Sequence, residues 1–450
     1  MASLKIAIFR GFLIKKMTGQ KNPTKSFFLL KKSSEPEIGF TTGTCAAAAS
    51  LAATRMLLTQ KNVSYVTLLT PKGIKVFLEI ENQSFTKDSA TCSVKKFSGT
   101  DPDVTNGIEV FSTVRKISAQ MVTNFQRGGI SNQIGKQNKS LQQTEDSVDE
   151  IPVKITGGKG VGKVTLPGLD QKPGEAAINS VPRRMILDGV KREIELFLEQ
   201  KGEICDFKKV FPGIEVEISV PGGEEIAKQT FNPKLGIVGG ISILGTSGIV
   251  EPMSEQALLD TIQVEINVRK AQGFEVLPVV PGNYGADFLQ AEFGFSVETA
   301  VHSSNFVYDS LLMAKNSGFK KLLFCGHLGK LVKVAGGIKN THSKYGDHRM
   351  EIISQVAQDF ILKEQFSSIN EELSSCISTE QAIKILDSLD ESHETRNKIM
   401  AEITRRIQKN MLEWTDNRLE IEVIIFTKEQ GLLGETQGAR NFCSKIRREI

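Results

Sequence analysis

The second half of the chain alternates short apolar runs with helical stretches, and this alternation restricts the possible folds more than any other feature. The apolar runs resemble strands buried on both faces and lie at residues 235–243, 275–280, 321–324 and 419–426. Helices are predicted between them at residues 254–271, 286–294, 305–316 and 347–362. Such β-α-β units form parallel sheets with helices on both faces. Ligands of these sheets bind beyond the carboxyl ends of the strands.

The preceding part of the chain has a different pattern, in which a few helices are mixed with antiparallel hairpins. An alanine-rich helix is predicted from residue 46, with Thr42 or Thr44 placed to cap it. Two β-rich runs at residues 65–70 and 74–80 flank the turn sequence Pro71-Lys72-Gly73 and predict a hairpin. Because 450 residues exceed one ordinary core, we predict an α+β domain at 37–230 and an α/β domain at 231–450.

Outside the first 34 residues the chain has a slight acidic excess. Those residues contain eight Lys or Arg and no Asp or Glu, which leaves 48 basic against 52 acidic residues in the remainder. Non-specific nucleic-acid binding needs a basic face, so we expect no nucleic-acid partner. The sequence contains no stretch of about 18 apolar residues, the length that a membrane span needs. The six cysteines form no Cys-x-x-Cys pair, which favours a reducing cytoplasm over disulfides or structural zinc.

Two segments are expected to lie outside the cores. The basic leader at residues 1–36 is predicted to be a disordered tail, with a targeting peptide or a true start at Met17 as alternatives. Residues 127–150 have almost no large apolar side chains and predict an exposed, mobile insertion.

Three of the five histidines fall within the 24 residues from Gly326 to Arg349. Lysine and arginine bind carboxylates or phosphates, and histidine titrates near neutral pH. We therefore predict a ligand-binding rim here; the alternative is a solvated charged face. The candidate bases are His327 and Asp347, and the candidate ligand contacts are Lys330, Lys333, His342 and Arg349.

The first domain contributes further polar candidates. They are Thr41, Thr42, Thr44, Asp103, Asn106, Lys159, Asn179 and Arg183. The threonines open a helix and are able to bind an anion there, or simply to cap the helix. Lys159 lies in a glycine-rich loop that suits either a ligand or a hairpin, and Arg183 belongs either to an anion clamp or to a solvated helix start.

Glycine-rich loops follow several of the predicted strands. Their candidate cofactor contacts are Gly245, Thr246, Ser247, Gly282, Asn283 and Gly285. The Gly-x-Gly-x-x-Gly spacing is absent, so a redox dinucleotide is weakly supported, although such a loop is able to hold an adenosine moiety. The histidines lack a standard zinc spacing, and we predict no protein-bound metal.

Taken together, several of these segments resemble one family. They are residues 39–49, 101–107, 156–162, 174–179 with Pro182-Arg183, 245–252, 281–285, 326–333 and 340–343. Over about residues 39–430 the chain resembles the CbiD-type cobalt-precorrin-5B C1-methyltransferases of anaerobic cobalamin biosynthesis. The resemblance implies a first domain like the second domain of ribosomal protein S5 and a second, three-layer α/β domain.

The implied reaction transfers a methyl group from S-adenosylmethionine to C-1 of the corrinoid ring and gives cobalt-precorrin-6A. The substrate carries the cobalt and many acetate and propionate arms, which match Lys159, Arg183, Lys330, Lys333 and Arg349. The expected partners are this corrinoid and other enzymes of the pathway, in the cytoplasm. A dinucleotide-dependent oxidoreductase and a non-catalytic tetrapyrrole carrier of the same pathway are the alternatives.

Overall fold

The computed structural model describes residues 7–9, 12–14, 37–118, 151–201, 212–252, 254–295 and 298–449. They form two compact units, Met1–Ser254 and Glu255–Ile450, each a mixture of helices and strands. The insertion predicted at residues 127–150 lies outside the described residues, as does most of the leader. Within the leader, Ala7–Phe9 (β1) and Phe12–Ile14 (β2) pair antiparallel, and the disorder of the leader stays a prediction. Both segments are apolar and only two residues apart, a spacing that favours a hairpin.

Within its described residues, the first unit contains further short strands and three helices. Its strands are Gly39–Phe40 (β3), Tyr65–Leu69 (β4), Lys75–Glu79 (β5), Glu81–Phe85 (β6), Ser89–Lys95 (β7), Glu109–Ile117 (β8), Val153–Gly157 (β9), Gly160–Val161 (β10), Lys163–Val164 (β11), Gly213–Ser219 (β12), Ile237–Val238 (β13), Gly240–Ile241 (β14) and Ile249–Val250 (β15). Its helices are Thr42–Thr59 (α1), Ser180–Lys201 (α2) and Gly223–Ala227 (α3), with a 3-10 turn at Pro233–Leu235.

The main sheet of this unit has the order β6-β7-β8-β12-β9, antiparallel except for the pair β12 and β9. The alanines at residues 46–49 and 52–53 let α1 pack closely against the sheet and α2, and its residues 42–54 are buried. The predicted hairpin is confirmed: β4 pairs with β5, and Gly73 N–H donates to Thr70 O across the turn.

The unit boundary falls 24 residues later than the sequence predicted, because the apolar run at residues 235–243 does not enter the parallel sheet. Gly239 has φ 77, which turns the chain within the run. The two resulting segments, β13 and β14, pair with β11 and β10 of the first unit. Residues 231–254 therefore belong to the first unit, and the prediction of a buried parallel strand there is wrong.

The second unit contains one sheet and nine helices within the described residues. Its strands are Val276–Val280 (β16), Val301–His302 (β17), Lys321–His327 (β18), Glu420–Thr427 (β19) and Gly431–Glu435 (β20). Its helices are Glu255–Ala271 (α4), Asn283–Phe293 (α5), Val307–Asn316 (α6), Leu328–Ala335 (α7), Arg349–Ala357 (α8), Lys363–Ser375 (α9), Thr379–Asp387 (α10), Glu394–Trp414 (α11) and Ala439–Glu449 (α12), with a 3-10 turn at Ser343–Tyr345.

The sheet order is β17-β16-β18-β19-β20, parallel except for β20 at the edge. Alternate strand residues enter two separate cores. One core contains α4 and α6–α11, and the other contains α5 and α12. The mainly parallel sheet with helices on both faces, predicted from the alternation, is thus present from residue 276 onward.

Candidate functional site

The carboxyl ends of β16 and β18 form the point of the second unit where a ligand crevice is expected. These strands are neighbours, yet the helices that follow them lie on opposite faces of the sheet: α5 packs in one core and α7 in the other. Open α/β sheets bind ligands where the strand order reverses in this way. The loops at this position are residues 281–285 and 326–330, and Lys330 Nζ donates to Pro281 O across them at 3.4 Å.

His327 lies at the end of β18 and caps α7. Its Nδ1 accepts the Gly329 N–H at 3.1 Å, and its Nε2 lies 3.0 Å from Glu380 Oε1 at the start of α10. Since Nδ1 acts as an acceptor, the proton of the neutral ring is on Nε2 and is donated to the carboxylate. The Phe426 ring packs edge-on against the imidazole, with centroids 5.6 Å apart.

Burial lowers the pKa of His327, Glu380 opposes this effect, and the nearby Lys428 adds to it. The net pKa lies below the ordinary value, so the ring is neutral at neutral pH. A neutral ring with both nitrogens engaged has no free lone pair. His327 is therefore a poor proton acceptor in this conformation, although the sequence singled it out as a base.

Lys330 and Lys333 form no ion pair with a carboxylate in the described part of the chain, where their Nζ atoms donate to backbone carbonyls. Asp347 attracts Lys333 at longer range, since Lys333 contributes to lowering the pKa of that carboxyl. Burial lowers the pKa of Lys330. Lys333 is 5% exposed and donates to Gly346 O at 2.8 Å and to Thr341 O at 3.4 Å. Both side chains retain capacity for an acidic ligand.

Asp347 and Arg349 bind each other instead. Arg349 Nη2 donates to Asp347 Oδ2 at 2.7 Å, Nε donates to Oδ1, and Nη2 also donates to Ile377 O. These hydrogen bonds hold the pKa of Asp347 below its usual range and raise that of Arg349. The geometry favours neither Asp347 as a base nor Arg349 as an unpaired cation. His342 is exposed and caps a 3-10 turn through Nδ1, which accepts the Lys344 N–H.

The loop at residues 281–285 has one open position. Gly282 has φ 172, an extended angle that any residue adopts, and an added Cβ would meet nothing within 4 Å. Asn283 is exposed as the first residue of α5. Gly285, in contrast, packs against Cys325 O and Val280, where a Cβ would lie 2.9 Å from each. Nearby, Lys428 Nζ lies 3.5 Å from the centroid of the exposed Tyr284 ring.

The other predicted cofactor loop, residues 245–247, belongs to the first unit. Gly245 has φ 136, and an added Cβ would lie 2.3 Å from Thr41 Oγ1. Ser247 Oγ donates to Ile249 O at 2.9 Å, and Thr246 is exposed. The six predicted cofactor contacts are therefore divided equally between the two units.

The threonines at the start of α1 are engaged with this same loop. Thr44 Oγ1 donates to Gly248 O at 2.6 Å, and Thr42 Oγ1 accepts the Leu244 N–H at 2.9 Å. Thr41 caps the helix, since its Oγ1 accepts the Thr44 N–H. The sequence suggested Thr42 or Thr44 as the cap, but the helix begins at Thr42 and its cap is Thr41. The three side chains are buried.

Asp103 and Asn106 hold the turn after β7. Asp103 accepts hydrogen bonds from Thr105 and from Lys96, whose side chain is 2% exposed, and Asn106 Oδ1 accepts the Ser98 N–H. Burial raises the pKa of Asp103, but the Lys96 and Thr105 hydrogen bonds outweigh it and the net pKa is lowered. Both residues thus have structural partners.

Arg183 is half-buried at the start of α2 and donates to three backbone carbonyls: Ile178 O at 2.8 Å, Ile155 O at 3.3 Å and Ala176 O at 3.3 Å. Burial lowers its pKa, against the attraction of Glu175 and Asp170. Asn179 contributes its backbone, accepting from Arg183 N–H and donating to Ile243 O. Lys159 is exposed.

Sequence reasoning missed Glu380 as a site residue. The run Ser378-Thr379-Glu380-Gln381 has the sequence of a capping box, and its N-cap bond is present: Ser378 Oγ accepts the Gln381 N–H, while Gln381 Oε1 accepts the N–H of Ile377, one residue before the cap. The cap places Glu380 in the first turn of α10, but no local pattern indicates that this turn lies beside His327. Lys428 and Tyr284 were missed for the same reason.

Two kinds of feature are absent from the described residues. None of their helices combines the length and apolarity needed to cross a membrane. Among the same residues, no three His, Cys, Asp or Glu side chains are grouped as metal ligands.

Comparison with known proteins shows the family to which the chain belongs. Residues 30–252 match the family described as CbiD, and residues 340–437 match the CbiD C-terminal domain. The cobalt-precorrin-5B C(1)-methyltransferase of Ruminiclostridium cellulolyticum is 43% identical over 73% of this chain and 74% of the relative. The enzyme of the same name from Clostridioides difficile is 35% identical over 88% of this chain and 94% of the relative. A crystal structure of the cobalamin biosynthesis protein (cbiD) from Archaeoglobus fulgidus is 27% identical, covering 67% of this chain and 80% of that one, with a TM-score of 0.33. On the family matches and the two relatives, the chain belongs to the CbiD family.

Proposed function

We propose that the protein methylates C-1 of cobalt-precorrin-5B with S-adenosylmethionine, giving cobalt-precorrin-6A in anaerobic cobalamin biosynthesis. The observation that carries this proposal is the similarity to a relative named for that reaction, which extends over 94% of the relative's length. The sulfonium donor supplies an already activated methyl group. The protein's main task is then to hold a nucleophilic ring carbon in line with it, which is worth about 7–11 kcal/mol in favourable cases.

The crevice between residues 281–285 and 326–330 is proposed as the S-adenosylmethionine site. Its support is the position at the strand-order reversal and the open space beside Gly282. Asn283, in the first turn of α5, offers polar groups at the same edge. The loop of Gly245, Thr246 and Ser247 is less well supported, because its glycine packs tightly on Thr41.

We propose that the substrate is bound by cations that form no ion pair with a carboxylate of the protein. Arg183 in the first unit and Lys330 and Lys333 in the second meet this criterion within the described residues, and exposed Lys159 is a further candidate. Each would bind an acetate or propionate arm through a charge-assisted hydrogen bond. The other predicted contacts, Thr41, Thr42, Thr44, Asp103, Asn106, Asn179, His342 and Arg349, are assigned mainly to shaping the fold, since their partners are internal.

Three finer points also remain proposals. We infer that the first unit is related to the second domain of ribosomal protein S5, a relation suggested by the sequence resemblance. The cytoplasm is the proposed location, and transient handover to other enzymes of the pathway is the proposed partnership. A crystal structure of the protein and its co-purification with pathway enzymes test these points.

Methyl transfer is tested directly with purified protein, cobalt-precorrin-5B and S-adenosylmethionine carrying a 13C-labelled methyl group. We expect a product with one added 13C-methyl group at C-1, seen by NMR and mass spectrometry. Calorimetric titration with S-adenosylhomocysteine separates the alternatives. A tetrapyrrole carrier would bind the corrinoid but not this ligand, and an oxidoreductase would bind a flavin or nicotinamide instead.

Gly282 offers a sharp test of the cofactor crevice. Gly282→Val adds bulk in open space without backbone strain, so the fold and melting temperature should be unchanged. If the cosubstrate lies against this glycine, its Kd for S-adenosylhomocysteine should rise by about tenfold or more, equivalent to about 1.4 kcal/mol. Gly282→Ala should give a smaller increase. Wild-type affinity in a folded Gly282→Val variant would place the cosubstrate elsewhere.

A further inference from the structure

In the pair formed by His327 and Glu380, the partners of the two ring nitrogens determine which member can take up a proton. Gly329 N–H donates to Nδ1 of the imidazole, and Nε2 lies 3.0 Å from Glu380 Oε1. For His327 to accept a proton at Nδ1, the cap of α7 would have to break. Glu380 is under no such restriction, because a carboxylate has about four acceptor sites.

Only two hydrogen bonds to the Glu380 carboxylate occur in the described part of the chain. Oε1 accepts from His327 Nε2, and Oε2 accepts from Thr379 Oγ1 at 3.3 Å. The carboxylate is one-quarter exposed, beside the crevice proposed for the cosubstrate. It therefore retains lone pairs at the position where chemistry is expected.

From this geometry we propose that Glu380 is the proton acceptor of the methylation and that His327 is its positioning residue. The inference rests on the proposed function. As C-1 attacks, its electron pair forms the new carbon–carbon bond to the methyl group, and the carbon–sulfur bond breaks with its electron pair left on sulfur. The conjugated ring system then loses one proton, whose bonding pair returns to the ring, and the proton passes to the Glu380 carboxylate.

The charges around the pair suit this role. Lys428 after β19 acts on His327, and Arg349 at the start of α8 acts on Glu380. Both are cations close to the pair, and the neutral imidazole donates to the carboxylate without transferring its proton. This arrangement orients Glu380 before the reaction.

Substitution of Glu380 tests the assignment. Glu380→Gln still accepts from His327 through its amide oxygen but cannot take up a proton. We expect kcat to fall by about 100-fold or more, with the Kd for S-adenosylhomocysteine and the KM for the corrinoid within about twofold, a range far below the tenfold step of 1.4 kcal/mol. We expect kcat of the wild type to fall at acid pH, this fall to be absent in Glu380→Gln, and Glu380→Asp to recover part of the activity. Glu394→Gln, the same change in the first turn of α11, is the matched control and should behave as the wild type.

Two substitutions of His327 separate positioning from proton transfer. His327→Gln places an amide N–H near the position of Nε2 and should keep kcat within about tenfold of the wild type, a loss of at most about 1.4 kcal/mol, with the acid limb intact. His327→Asn replaces the cap acceptor but not the donor to Glu380, and should lower kcat further. If His327→Gln lost as much activity as Glu380→Gln, together with the acid limb, or if Glu380→Gln kept wild-type kcat, the proposal would be overturned.

An NMR measurement keeps the inference testable without turnover. With 15N-labelled histidine the five rings give a small set of signals, and the one lost in His327→Gln is assigned to His327. At neutral pH we expect it as the neutral Nε2–H tautomer, shifted in Glu380→Gln. An Nδ1–H tautomer or an imidazolium would refute the pair whatever the activity. The expected tautomer in a protein that transfers no methyl group would instead refute only the proposed function.

Discussion

Among single residues, Lys96 has a positive charge that is almost completely buried. Its side chain is 2% exposed, and Asp103 is the carboxylate that compensates its charge. Removing one partner of a buried ion pair leaves the other charge without compensation, and this costs more than the pair itself contributes. The sequence suggested Asp103 as a ligand contact, but the pairing with Lys96 gives it a role in stability.

We predict that Asp103→Asn destabilises the first unit by about 3 kcal/mol at neutral pH, the lower end for a broken buried pair because Asp103 is one-quarter exposed. Urea unfolding followed by circular dichroism measures the change. A double variant, Lys96→Met with Asp103→Asn, should recover part of the loss, since no charge is then left unpaired.

The loss should also depend on pH. Because the pKa of Asp103 is lowered by folding, its stabilising contribution is complete above the ordinary value of about 3.9 and disappears as the pH falls through the lowered value. The difference between wild type and Asp103→Asn should therefore shrink below about pH 4. A constant difference down to pH 2.5 (roughly a full unit below the free carboxyl) would contradict the ion-pair explanation.

At the scale of elements, the start of α1 and the loop at residues 242–248 form one hydrogen-bonded structure. Gly43 N–H donates to Leu244 O, while the hydroxyls of Thr42 and Thr44 bind the loop backbone. A sequence of threonines before an alanine-rich helix suits anion binding and capping alike. The structure shows that these hydroxyls have internal partners 200 residues away in the chain.

Thr44→Val keeps the shape of the side chain but removes the 2.6 Å bond to the buried Gly248 carbonyl, which then accepts only from the Thr41 N–H at 3.4 Å. We expect a loss of about 1–3 kcal/mol in the free energy of unfolding. Thr59→Val, at the exposed end of the same helix, loses only a bond to Arg55 O and should change stability by less than about 0.5 kcal/mol. Equal effects of the two changes would show that the loop contact contributes little.

How far the sequence predicted the fold depends on whether the signal was local. The β4–β5 turn, the Ser378 helix cap and the alternation from residue 275 onward are local patterns, and the structure contains each of them. The run at residues 235–243 was assigned wrongly because its composition suits a buried strand, whereas Gly239 turns the chain. The partnership of His327 with Glu380 was not predictable, since it joins two helix starts that only the tertiary fold brings together.

At the scale of the whole molecule, the two units each contain buried thiols. Burial raises the pKa of Cys45 and Cys92 in the first unit to about 12 each, and that of Cys443 in the second to about 12, while Cys325 is also raised. Thiolate is the reactive form, so these groups are inert while the protein is folded. Cys376 alone among the described cysteines is partly exposed.

Thiol labelling should therefore report on each unit separately. In a Cys205→Ser background, a maleimide at neutral pH should modify Cys376 rapidly and the other four cysteines only on unfolding. With increasing urea, Cys45 and Cys92 should become reactive together, and so should Cys325 and Cys443, as read by mass spectrometry of peptides. Rapid labelling of any of these four in the absence of urea would contradict the burial described above.

The position of β19 in the chain determines when the sheet of the second unit can be completed during synthesis. His327 is in register with Phe426, yet the whole segment 328–419, with helices α7–α11, is synthesised between the two strands. Closing so long a loop is entropically unfavourable and slow compared with local helix formation. During translation the first unit is able to fold before residues 420–427 have been synthesised, and β18 can pair with β19 only afterwards. A nascent chain stopped before Glu420 thus contains every residue of the crevice loops and Glu380, but not the strand that aligns the end of β18.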